Sequence, residues 1–313
     1  MACTEPQIDT NSRDVALNDV VEDHPASYTS FDSKYNRAKI SLLWPVIDTL
    51  IIAALSIPIL ALFLKGQPYH RGFYCNDETI NKPYKDSTVK NYVATLVGLL
   101  LPGASFILVE TLRFREETPK ERAMHQIYYV GSVKLHPVFM RFAKIVVVFL
   151  FGAAVNTLLT DVGKYSVGRL RPHFLTVCKP DTSLFNCTTE FITSVVCTGD
   201  PAIIRQARLS FPSGHSSFAA YTMCFLILYI QARVDIPQSY LLKPLLQLIP
   251  LILGILCGLS RISDYKHHWS DVFAGLALGT TIAYGVVWFH IKWFKDIEKM
   301  TQRGCKKSVK DCV

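Results

Sequence analysis

The first forty residues contain no apolar run. A secretory signal peptide needs an early apolar core, so no cleavable leader is read here, and the first long apolar stretch downstream is expected to act as an uncleaved anchor. Residues 1–40 are instead polar and carry both charge signs, too little apolar surface for a core, and read as a disordered cytosolic tail. Nucleic-acid signatures are missing too. No helix-turn-helix, zinc-finger or RNA-reading pattern accompanies the formal net charge of +8. A carboxy-terminal prenylation box is absent, because Cys312 is next to last. A nucleic-acid binder and a prenyl-anchored protein are thereby set aside.

What the chain has is apolar residues in blocks. Half of its 313 residues are apolar, and they cluster at about 42–64, 92–112, 139–160, 217–232, 241–259 and 272–291. A membrane span needs roughly 20 consecutive, mostly apolar residues, and a soluble protein would have to hide all of these runs at once. The fold class expected is all-α: an integral membrane protein with six transmembrane helices over residues 41–295. The basic excess is concentrated in "IKWFKDIEKMTQRGCKKSVK", directly after the last run, so 296–313 reads as a basic cytosolic tail facing anionic lipid heads. Cys305 and Cys312 beside that span are candidate palmitoylation sites.

An even number of spans puts both termini on one side. Lys34, Arg37 and Lys39 precede the first span, Arg113, Arg115, Lys120 and Arg122 follow the second, and Arg233 follows the fourth. Both termini are therefore expected in the cytosol. Loops 65–91, 161–215 and 260–271 then face outside or a lumen. Two features agree: Asn186-Cys187-Thr188 is a glycosylation sequon, and Cys75, Cys178, Cys187 and Cys197 all fall on that oxidising side, with their pairing open. Asp48 and Glu110, near the cytosolic ends of spans one and two, read as interfacial or paired charges.

Three polar clusters lie on the outward side. In "HHWSD" (267–271), His267 and Asp271 are four apart, so a carboxylate one turn on would hold one imidazole nitrogen and leave the other basic. His268, three from Asp271, is equally compatible on spacing. "FPSGHSS" (211–217) opens the fourth span: Pro212 and Ser213 are helix-start residues, Gly214 permits close backbone approach, and helix-start amides suit an anion. His215 is there as a proton donor. In "KYSVGRLRP" (164–172), Lys164 and Arg171 are seven apart, two helical turns, and are expected on one helix face. With Arg261 at the end of the fifth span, these cations fit a multiply charged oxyanion, since forked guanidinium matches phosphate oxygens.

Taken together, K-x6-R-P at 164–172, P-S-G-H at 212–215 and S-R-x5-H-x3-D at 260–271 resemble the three signature blocks of the lipid phosphate phosphatases. This family is also called the type-2 phosphatidic acid phosphatases or phospholipid phosphatases, and its site is similar to that of vanadium haloperoxidases and bacterial acid phosphatases. "PYHRGFYCNDETI" (68–80) and "GRLRPHFLTVCKPD" (168–181) also look like the animal members. The resemblance covers roughly residues 40–295. It implies that His267 attacks phosphorus to give a phosphohistidine and that Asp271 holds its ring. His215 would protonate the departing alkoxide and then activate water, while Lys164, Arg171, Arg261, Ser213 and Gly214 cradle the phosphoryl oxygens. The block spacing selects His267 over His268.

The resemblance implies as substrates phosphatidate, lysophosphatidate, sphingosine 1-phosphate and ceramide 1-phosphate, met at the outer or lumenal leaflet. Fixed cations stand where a metal would, and Asp264 and Asp271 are too few carboxylates for catalytic magnesium, so magnesium-independent turnover without cofactor is expected. The bilayer is the expected partner, a homo-oligomer is compatible, and nucleic acid is not expected. The plasma membrane is the expected site, with Golgi, ER and endosomal membranes also compatible. A catalytically silent lipid-binding scaffold and a lipid phosphotransferase are the alternatives. The first is disfavoured because His215, His267 and Asp271 are all present.

Overall fold

The computed structural model describes residues 37–39, 43–118, 127–130, 132–181, 183, 191–193 and 195–310. Eight α-helices follow one another in it: α1 Leu43–Lys65, α2 Asn91–Glu116, α3 Pro137–Val167, α4 Phe174–Cys178, α5 Pro201–Ala207, α6 Gly214–Arg233, α7 Leu242–Ser263 and α8 Trp269–Lys310. The all-α expectation holds for the body of the chain. It misses a three-stranded sheet of β1 Arg37–Lys39, β2 Ile127–Val130 and β3 Val133–Leu135, with β1 and β2 parallel and β2 and β3 antiparallel. Arg37–Lys39 fall in the stretch expected to be a disordered tail but pair with residues some ninety positions on, which local composition does not reveal.

Five described helices, α1, α2, α3, α7 and the Trp269–His290 part of α8, are long and apolar enough to cross a membrane. The run at 217–232 falls on α6, which is not one of the five. His215, Ser216, Ser217, Tyr221, Thr222 and Tyr229 dilute its hydropathy, and the reason is its location. It runs through the centre of the bundle, against α8, α7, α3 and α2, with most of its side chains buried. A helix surrounded by protein can carry polar groups that lipid would reject. The contrast is α1, which packs on α3 and has no buried residue, and α7, whose Leu245, Leu248, Ile249, Ile252, Leu256 and Leu259 are exposed. Apolar surface of that extent is stable only in hydrocarbon. The protein is a multi-pass membrane protein.

The centre is closed by aromatic packing of Phe106, Phe149, Tyr221, Phe225 and Tyr229, with Tyr221 Oη donating to the Phe149 carbonyl oxygen at 2.7 Å. Along the α6–α8 seam, a Cβ added at Gly279 would collide with the Ser217 carbonyl oxygen, and one at Gly275 would stand 2.6 Å from that of Ser213. Only hydrogen fits there, so α6 and α8 approach at backbone distance. Near the Arg233 end of α6, Glu110, 0% exposed, accepts from Arg233 Nε (2.9 Å), Arg233 Nη2 (2.7 Å) and Tyr229 Oη (3.0 Å). Glu110 is thus a paired charge, as read from the sequence, whereas Asp48 on α1 is exposed.

At the other end a second small core of Phe73, Ile80, Leu170, Phe174, Ile192 and Ala207 gathers the long connections into a roof. The Cys178–Cys197 disulfide ties this roof, and Cys75 is disulfide-bonded as well. Asn186 and Cys187 lie outside the described residues, as do Cys3 and Cys312.

Candidate active site

The helix ends that carry the three clusters meet beneath the roof. The C-terminus of α3, the N-terminus of α6, the C-terminus of α7 and the residues just before α8 enclose a cavity of about 800 Å³. Lys164, Arg171, Gly214, His215, Arg261 and His267 all line it. Arg171 arrives there by a route different from the one expected. The α3 helix stops at Val167, where Gly168 takes the left-handed conformation at φ 55° that favours glycine. Arg171 therefore lies in the connection after α3, pinned by its N–H to the Ala207 carbonyl oxygen at 2.8 Å, and not on the helix face of Lys164.

Two expected residues stand behind the wall. Ser213 is buried and caps α6: its Oγ accepts from Ser216 Oγ at 2.8 Å and from the Ser216 N–H at 3.4 Å. Its side chain is thus engaged in the cap. Asp271, 0% exposed, accepts from Arg169 Nη1 (2.6 Å), Ser210 Oγ (2.6 Å), the His268 N–H (3.0 Å) and His268 Nδ1 (3.2 Å). The direct bond expected between Asp271 and His267 is not the one formed. His267 Nδ1 lies 2.7 Å from the Ser210 carbonyl oxygen and 3.8 Å from Asp271 Oδ2. The physical reason is that α8 starts only at Trp269, so His267 precedes the helix and helical i,i+4 geometry does not apply to it. The Ser210 carbonyl thereby orients the ring and leaves Nε2 as its basic nitrogen. His268 joins Asp271 and is only partly buried.

Electrostatics follow from burial. His267 is pulled down to about 3, chiefly by desolvation, with Asp271 opposing and Arg171 adding to the shift, so the ring is neutral at ordinary pH. Arg171 is lowered to about 10 by burial first, offset by Asp271 and reinforced by Arg261; it stays charged. Burial and the charge of Arg171 bring Lys266, another cavity residue, down to about 8. Arg261 is 1% exposed and donates through Nη2 to Asp264 Oδ2 at 3.0 Å. Asp264 also accepts from the Thr88 N–H and Oγ1, at 2.8 and 2.7 Å, which fastens the segment before α2 beside the cavity.

Arg169, Ser210, Lys266 and Asn156 also belong to the site and are not singled out by the sequence, which marks Asp264 only as a carboxylate near it. Arg169, Asp264 and Lys266 lie within the recognised blocks and Ser210 beside one, but which of them meets Asp271 or Arg261 is decided by the fold. Asn156 carries a different signal, a lone amide in an apolar run. Among the described residues, buried side-chain atoms with no hydrogen-bond partner include Asn156 Oδ1, Arg171 Nε and His215 Nε2, and all three residues line the cavity. Buried polar atoms are nearly always paired, so their gathering around one cavity marks it as a place that takes a polar ligand.

The PAP2 superfamily matches residues 145–295. The chain is 40% identical over 264 residues to rat (Rattus norvegicus) phospholipid phosphatase 1, covering 84% of this chain and 90% of the relative. It is 39% identical over 255 residues to human (Homo sapiens) phospholipid phosphatase 2, covering 80% and 83% respectively. A solved structure, the transmembrane PAP2-type phosphatidylglycerolphosphate phosphatase from Bacillus subtilis, matches at 21% identity and TM-score 0.31, covering 64% of this chain and 96% of that one.

Proposed function

Because the chain belongs to the phospholipid phosphatase family and is a membrane hydrolase of phosphoric monoesters acting on lipid phosphates, we propose that it dephosphorylates phosphatidate, lysophosphatidate, sphingosine 1-phosphate and ceramide 1-phosphate at the outer or lumenal leaflet, through a phosphohistidine and without a metal. The observation that carries this reading is the shared cavity wall of His215, His267, Lys164, Arg171 and Arg261. Neutral His267 attacks phosphorus through Nε2. An N–P bond forms and the bond from phosphorus to the lipid oxygen breaks. Burial first, and then Arg261 and Arg171, hold His215 down to about 4 in the protein alone. It takes up a proton from solvent as the phosphate dianion binds beside it and gives that proton to the leaving alkoxide. Water then attacks phosphorus and loses a proton to His215, while the N–P electron pair returns to His267 as phosphate leaves. The three cations and the helix-start backbone at Gly214 hold the phosphoryl oxygens. The Ser210 carbonyl holds the ring, and the nearby Asp271 carboxylate favours its charged state.

This reading takes the α6 segment as a sixth span, both termini as cytosolic and Asn186 as glycosylated, with the plasma membrane as the working location. The basic flanks and the disulfide-tied roof at the cavity end support that orientation. Metal independence is supported by the cations already at the cavity, and among the described residues no group of three or more His, Cys, Asp or Glu gathers as a metal's ligands would.

The test is phosphate release from a panel of lipid phosphates by intact cells expressing the chain, with His267→Ala beside it. Wild type should release phosphate from lipid supplied outside the cell, with detergent-solubilised activity unchanged by excess EDTA. The variant should lose activity at normal surface expression. Retained turnover in His267→Ala would reject the phosphohistidine, activity seen only after permeabilisation would reject the orientation, and a collapse in EDTA would reject metal independence.

A further inference from the structure

Asn156 sits in the middle of α3, in an otherwise apolar stretch, and is 1% exposed. The mechanism above leaves it unused. Its Nδ2 donates to Ser217 Oγ at 3.4 Å, Ser217 Oγ and Thr160 Oγ1 share a hydrogen bond of 2.9 Å, and Ser217 Oγ also reaches the Gly214 carbonyl oxygen at 3.2 Å. Asn156 Oδ1 has no partner. A buried carbonyl oxygen left unpaired carries its full desolvation penalty, which a leucine at the same place would avoid.

Its position relative to the phosphate cradle is set by two helices. Asn156, Thr160 and Lys164 are spaced i, i+4, i+8 and share one face of α3. Lysine side chains on a helix lean towards its N-terminus, and Lys164 Nζ would lie 2.9 Å from a Cβ at Gly214. Ser217, the neighbour of Asn156, is about one turn, roughly 5 Å, further along α6 from that cradle. This depth suits a substituent on the carbon next to the one that bears the phosphate. Phe63, Ala94 and Phe218 line the same cavity and supply apolar wall for the tail.

Building on the proposed lipid phosphate reading, we infer that Asn156 is a specificity subsite. Its Oδ1 accepts a hydrogen bond from a hydroxyl, amine or amide N–H on the backbone carbon adjacent to the phosphate-bearing carbon. An acceptor demands a donor. A monoacylglycerol phosphate or a sphingoid backbone offers one at that carbon, whereas a diacyl backbone places an ester there, with acceptors alone. The Thr160–Ser217 pair holds the amide in register.

The experiment uses full-length protein in detergent and two synthetic substrates with the same short acyl chain. One is a 1-acylglycerol 3-phosphate; the other has hydrogen in place of the 2-hydroxyl. Wild type should favour the hydroxyl compound in kcat/KM by about tenfold, the scale of one hydrogen bond lost at a buried acceptor. In Asn156→Leu the ratio should fall to near one, and Asn156→Thr, which keeps an oxygen, should recover part of it. A wild-type ratio near one, which needs no variant to fold, would overturn the assignment. So would an unchanged ratio in Asn156→Leu. Equal release from both compounds overturns only the role of Asn156, whereas release from neither by wild type overturns the lipid phosphate reading itself.

Discussion

A fully buried carboxylate is stable only when its oxygens are occupied, and Asp271 meets that requirement with one cation, one hydroxyl and the backbone and ring of His268. Arg169 supplies the charge. Arg169→Leu should leave an uncompensated buried anion and cost about 3–5 kcal/mol of stability, with activity falling more than tenfold, as the Asp271 cluster also holds Ser210, whose carbonyl orients His267. Thermal unfolding in detergent and phosphate release check the two parts. His267 and His173 point to a second outcome. Burial, first among the causes, holds them at about 3 and about 4, against about 6.5 in an unfolded chain. The unfolded state therefore binds more protons between those limits. Stability should be fully present above pH 6.5 and lost as pH falls towards 4, and His173→Gln should shallow that slope in a series of melting curves. The residue types of the site were legible because fixed spacings carry them. His268 as a partner of Asp271 was legible too, but Arg169 and Ser210 were not, since they lie far from it in sequence and are brought there by the turn after α3 and by the segment before α6.

Among the elements, α6 is the axis on which the site is assembled. It carries His215 at its N-terminus, and α8, which follows directly from His267 and carries Asp271, lies against it at backbone distance. Gly279→Leu should drive these helices apart, because its Cβ alone would meet the Ser217 carbonyl oxygen. We expect a loss of about 1–3 kcal/mol and activity falling further than the folded fraction. Gly103→Ala on α2, where an added Cβ meets nothing within 4 Å, should be neutral or slightly stabilising. Melting temperature with activity normalised to folded protein separates the pair. The apolar runs marked the six long helices in advance, though not the short α4 and α5, and even the weakness of the fourth run was informative: its polar residues are those that a protein-surrounded helix retains.

For the molecule as a whole, one end is polar and disulfide-tied, and the other is clasped by charge. Glu110 from α2 binds Arg233 and Tyr229 of α6, and Arg113 of α2 donates to the Arg233 carbonyl oxygen at 2.6 Å. Glu110→Gln should cost about 3–5 kcal/mol by stranding Arg233. Because the clasp is remote from the cavity, the folded fraction should keep its KM for lipid phosphate. A changed KM in folded protein would instead couple the two ends.

The sequence by itself determined the membrane class, the positions of the apolar helices, the three site-bearing segments and the family, because apolar run length and fixed residue spacing are local properties. Only the tertiary structure decided which helix lies at the centre, that Arg171 joins Lys164 through a loop, that the Ser210 carbonyl and not Asp271 makes the close contact with His267, and that Asn156 looks into the cavity. Those are contacts between distant segments, set by how closely helices can approach and by where each one stops.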